Sequence, residues 1–100
     1  AELRALLSLT IPNTVTTIGL KAFRNLNALT TVEIPSSVSS IGQEAFQYCT
    51  QLGTINCLAT TAPALGSNPF SAVAATEIHV PVGATGYGAT YGGLTVVFDL

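Results

Sequence analysis

The sequence predicts a β-dominated solenoid: short strands and turns that coil in one recurring unit, closed by a terminal cap. Three observations carry that expectation. Residues 29–51, LTTVEIPSSVSSIGQEAFQYCTQ, align without a gap on residues 6–28, with 8 of 23 positions identical. A third unit from Leu52 keeps Leu52, Ile55 and Cys57 in register, then gains one residue within ATTAPALG. Leu65, Gly66 and Phe70 therefore fall one position beyond the places that Ile41, Gly42 and Phe46 predict. After Pro81 the pattern dissolves into a stretch holding five of the nine glycines, as a degenerate last unit would.

Each element of the unit has a local reason. Val32, Glu33 and Ile34 alternate apolar, polar, apolar, which suits a short strand with one buried face. Pro35 ends it, having no N–H for a ladder. Val38 and Ile41 are expected inward on a second extended piece. Gly42 is expected where the backbone needs positive φ or close approach. Residues 43–46 are long enough only for a helical turn, with Ala45 small where coils press together and Phe46 filling the interior. One unit alone buries almost nothing, so the core exists only when units stack.

The units run 6–28, 29–51 and 52–75, with the start of a last unit at 76–81. Residues 82–100 form a Gly-rich cap, and the apolar run at its end predicts a final strand at 94–98. In the repeat register Leu3 and Leu6 take the positions of Leu26 and Leu29. Residues 1–5 therefore read as a partial repeat, the tail of a longer array, rather than as a short N-terminal helix. The uncapped edge near residues 6–11 would be a template for self-pairing.

Composition excludes some functions. Charged residues are only 8%, against a typical ~25%, and 21 Ser and Thr take their place. Net charge is −2, with Arg4, Lys21 and Arg24 the only Lys and Arg, which leaves no basic patch for a nucleic acid. No run approaches the ~18 apolar residues of a spanning helix, so direct membrane insertion is not expected. No secretion signal opens the chain, and any such signal is read as missing or removed.

The motif L-x-x-V-x-I-P-x-S-V-x-x-I-G-x-x-A-F-x-x-C, as it stands in residues 29–49, resembles the BspA-type leucine-rich repeat. The asparagine ladder of commoner leucine-rich repeats is absent. The resemblance covers roughly residues 3–81, and residues 57–70 with 78–84 look like the end of such an array. It implies a leucine-rich-repeat solenoid, β-dominated, with short strands, helical or 3-10 turns, a right-handed coil and a C-terminal cap. It also implies a non-catalytic module of a secreted or cell-surface bacterial protein, linked with adhesion and with binding a protein or glycan. The alternative is a structural spacer or capping domain with no specific ligand. A short helix carrying a Tyr is common at the end of such arrays. Tyr87 and Tyr91 have the spacing for one, but Gly86 and Gly88 oppose it.

Two outward columns follow from the register. Ser8, Thr31, Thr54 and Glu77 recur at the repeat spacing, as do Thr10, Glu33, Asn56 and His79. Equivalent strand residues of stacked coils lie ~4.8 Å apart, so these eight side chains should form one polar patch. Either they meet a partner, or they are a solvated β face. His79 is the single histidine. It has Glu77, Asn56 and threonines as neighbours, but no nucleophile elbow or oxyanion motif supports catalysis. No metal site or cofactor is expected. Cys49 and Cys57 occupy positions that are apolar in the other units, which predicts buried thiols, with a disulfide as the lesser alternative. The stretch GATGYGATYGG lacks the order, lysine and following helix of a phosphate loop.

Overall fold

The computed structural model describes residues 8–100. The partial repeat at 1–5 and the register positions of Leu3 and Leu6 lie outside the described residues. The chain coils around a three-sided core. The first side is a sheet of β1 (Ser8–Thr10), β3 (Thr31–Ile34), β5 (Thr54–Cys57), β7 (Glu77–Val80), β9 (Leu94–Phe98) and β8 (Thr90–Tyr91), in the order β1-β3-β5-β7-β9-β8. All neighbours are parallel except β8, which returns antiparallel along β9. The second side is a smaller parallel sheet of β2 (Thr17–Ile18), β4 (Ser40–Ile41) and β6 (Ala64–Leu65).

The alternation of the repeat sets the faces. In β3, Val32 and Ile34 are buried while Glu33 is exposed, and in β5 and β7 the equivalent apolar pairs are buried too. Pairing keeps the predicted register: Val32 lies beside Ile55, and Ile34 beside Cys57. On the second side the register slips as the inserted residue requires, with Ser40 beside Ala64 and Ile41 beside Leu65. Leu29, Val32, Ile34, Phe46, Leu52, Ile55 and Ile78 have no exposed surface. This is the shared core that single units cannot make.

The third side corrects the expectation of helical or 3-10 turns. Among the described residues there is no helix of either kind. Residues 20–25 and 43–48 are successive turns, with Lys21, Asn25, Glu44, Tyr48, Asn68 and Ala72 at positive φ. The reason lies in where the amides go. Alternate N–H groups point to the next coil: Lys21, Phe23 and Asn25 donate to the carbonyls of Gln43, Ala45 and Gln47 at 2.8–2.9 Å. Glu44, Phe46 and Tyr48 donate to Ser67, Pro69 and Ser71 at similar distances. Amides committed between coils cannot close i→i−4 bonds, and the left-handed residues turn the chain to present them. Non-glycine residues in that region would be unfavourable alone. Here the ladder fixes them.

Inside this side Phe46 stacks between Phe23 and Phe70, with ring centroids 5.4 and 5.7 Å away. Of the two reasons offered for Gly42, close approach is the one the structure uses. A Cβ there would lie 2.7 Å from the Gly19 carbonyl carbon, and its φ is not positive. The cap carries no helix either. Tyr87 and Tyr91 turn inward instead and meet edge to face at 4.9 Å, sealing the end of the core.

Candidate functional site

The outward face of the large sheet collects the two predicted columns. Thr10, Glu33, Asn56, His79 and then Val97 are successive pairing partners across five strands. In the second column Ser8 pairs with Thr31, Thr31 with Thr54, and Glu77 with Thr95. Thr54 and Glu77 stand two positions before the paired Asn56 and His79. Ser8, Thr10, Glu33, Thr54 and Glu77 are exposed, while Thr31, Asn56 and His79 are half-buried. All eight predicted residues therefore share one face, because strand alternation sends every second side chain outward.

Sequence reasoning missed the continuation onto β9. Thr95 and Val97 pair with Glu77 and His79, yet follow them too closely in the chain to fit the repeat register. It also missed Asp99. The His79 ring is held between two carboxylates: Nδ1 lies 2.8 and 3.0 Å from the Asp99 oxygens, and Nε2 lies 3.2 Å from Glu77 Oε1. An imidazolium donates to both, whereas the neutral ring has one N–H to give. The contact ties the end of the chain to the middle of the face. Only the alternation of β9 could have signalled it, since Asp99 follows a strand whose pairing partner contains His79.

Charge is divided between the sides. Glu33 and Glu77 stand on the strand face and Asp99 beside it, with His79 among them. Lys21 and Arg24 stand on the turn side, where Lys21 pairs with Glu44 at 3.6 Å and the Arg24 guanidinium lies 5.5 Å from the centre of the Tyr48 ring. The strand face is thus acidic, and its other polar side chains are hydroxyls and an amide.

Both cysteines are buried and free, as their apolar equivalents predicted. Burial pushes the Cys49 thiol up, against an opposing backbone contact from Leu26. Burial likewise raises Cys57, although hydrogen bonds with Tyr87 and the Ala59 backbone pull the other way. Raised thiols inside an apolar core make poor nucleophiles. Among the described residues no group of three His, Cys, Asp or Glu side chains is placed to hold a metal ion. No helix of the described residues is long and apolar enough to cross a membrane.

An apolar hollow of about 250 Å³, lined by residues such as Leu9, Ile11, Val15 and Phe23, lies at the β1–β2 end of the coil. The expected self-pairing edge at 6–11 begins in residues outside the described ones.

Comparison with curated proteins gave no match, and neither did comparison with solved structures. A family model described as the BspA type leucine rich repeat region matches six times across residues 1–90. The coiled strands, the repeat register and this match agree: the chain belongs to the BspA-type leucine-rich repeat family.

Proposed function

We propose that this chain is a non-catalytic binding module that engages a protein partner through the strand face of β3, β5, β7 and β9. The observation that carries the reading is the unbroken column Thr10–Glu33–Asn56–His79–Val97, flanked by Ser8, Thr31, Thr54, Glu77 and Thr95. Repeat solenoids bind through extended surfaces of this kind. The carboxylates of Glu33, Glu77 and Asp99 favour a partner that presents Lys or Arg, whose approach such a field accelerates. The family resemblance adds a setting: a secreted or surface-exposed bacterial protein acting in adhesion. Of the two ligand classes expected from the sequence, a protein presenting Lys or Arg suits this face better than a neutral glycan, because Glu33, Glu77 and Asp99 give it a charge that only a cationic partner answers.

The test is an interaction screen of the intact chain against basic extracellular proteins and peptides, repeated with Glu33, Asn56 and His79 all replaced by alanine. Binding in the parent that falls at least about tenfold in the triple variant supports the face, a loss worth about 1.4 kcal/mol. Binding that survives unchanged places the contact elsewhere. A chain that binds none of them, at low or high salt, would leave the spacer reading standing.

A further inference from the structure

We infer that the corner between the second and third coils is a binding site for a neutral polyhydroxylated ligand, of the size of a single sugar residue. The site is separate from the strand face and does not rest on the function proposed for it. It arises from the inserted residue. At the preceding corner the coils are sewn together: Ser39 N–H donates to the Thr16 carbonyl at 2.8 Å, and the Ser37 and Ser39 hydroxyls donate to the Val15 and Thr16 carbonyls. At the next corner the side-chain stitches have no counterpart among the described residues. Leu58 N–H donates to the Ile34 carbonyl, a bond that Pro35 cannot make at the preceding corner, and Ala64 N–H donates to Ser39. Between them, among the described residues, no backbone hydrogen bond joins 59–63 to the second coil.

Two sequence features explain the gap. Pro63 takes the place of Ser39 on the slipped register, and has no N–H to repeat the bond that Ser39 makes. The segment before it has turned the other way, toward the cap. Ala62 N–H donates to the Thr85 carbonyl, and Thr85 N–H donates to Thr60, both at 2.9 Å. The chain thus leans on its C-terminal neighbour and opens a cleft of about 340 Å³ behind it. That volume lies at the small end of the range for ligand pockets.

The lining selects the ligand. Ser36, Ser37, Ser39, Thr60 and Thr61 surround the cleft with hydroxyls, while Val38 and Ala59, each 2% exposed, give it an apolar floor. No Lys, Arg, His, Asp or Glu lines it. An ion would therefore meet no counter-charge there. A hydroxyl both donates and accepts, which is the pattern a polyol presents in return. Ser36, Thr60 and Thr61 are exposed, so a ligand can reach their hydroxyls.

The test is amide NMR of the intact chain, titrated with methyl glucoside, methyl galactoside, methyl N-acetylglucosaminide and myo-inositol up to about 50 mM, a range suited to weak sites. The expected result is saturable shifts for at least one probe, confined to residues 36–39 and 58–62. Replacing Thr60 and Thr61 together by valine should weaken that probe about tenfold, as expected for two lost neutral hydrogen bonds. Ser36→Ala, at an exposed position, gives a second reading should the double variant fold poorly. The inference is overturned if no probe shifts these amides, or if the shifts survive both variants. Shifts confined to the strand-face residues would overturn it equally, without bearing on a protein partner for that face.

Discussion

The Tyr87 hydroxyl donates to the Ala59 carbonyl at 2.7 Å and stands 3.3 Å from the sulfur of Cys57, far back along the chain. The pair joins the Gly-rich cap to the floor of the third coil. Tyr91 makes the matching link, donating to the Pro63 carbonyl at 2.7 Å. Removing one hydroxyl strands a buried carbonyl. Tyr87→Phe should therefore destabilise the protein by about 1–3 kcal/mol. Urea unfolding would show it as a lower midpoint with an unchanged slope.

The same buried groups set an alkaline limit. Burial raises Tyr87 and Tyr91 well above the usual phenol value, with further raising contributions from Cys57, and it raises both thiols. The unfolded chain loses these protons first, so it binds fewer than the native state and stability falls as pH rises. Stability from these groups should be fully present below the unfolded thiol value, about 8.5, and decline above it, further once phenols ionise near about 10. Thermal unfolding from neutral to strongly alkaline pH would check this. A midpoint that rises across that interval would contradict it.

Phe46 is fully buried in the middle of the three-ring stack. Phe46→Ala should cost about 3–5 kcal/mol, through lost transfer energy and the cavity left behind. That is a large share of a small domain's stability of roughly 5–15 kcal/mol. Calorimetry should show a broad, early transition or none, while Phe46→Leu should retain a cooperative one.

Two glycines should respond unequally to alanine. A Cβ on Gly66 would lie 2.4 Å from the Gln43 amide nitrogen and 2.8 Å from its Cα, both backbone atoms of the neighbouring coil. Forcing them apart should cost about 1–3 kcal/mol or more. Gly53 has only one atom at 4.0 Å and no positive φ. Gly53→Ala should stay within about 0.5 kcal/mol of the parent. Equal losses at both would mean that coil contact is not what Gly66 serves.

The architecture was legible because it repeats. Leu29, Ile34, Ile41 and Phe46 recur from unit to unit, with one inserted residue in the third, and a register turns a single strand pattern into a sheet with known faces. The outward columns followed from the same arithmetic, as did the burial of Cys49 and Cys57. The turn side was misread because residues 43–46 have ordinary helical propensity, which is only a weak prior. Their amides go instead to another coil, and no local pattern announces that. Asp99 escaped notice for a related reason. It reaches His79 through β9, whose place in the sheet lies outside the repeat register. Which molecule meets the strand face is written in the partner as much as here.

The antiparallel return of β8 along β9 makes the two edges of the large sheet unlike. Every other neighbouring pair in that sheet runs parallel, so a coil added beyond β8 would not meet the parallel edge that joins the other coils. At this end the outermost strand, Thr90–Tyr91, is short and points the opposite way. A second solenoid arriving head to tail would meet a mismatched, truncated edge instead of a template. The two-residue hairpin strand thus blunts that edge of the sheet, leaving few free backbone groups for another strand to pair with.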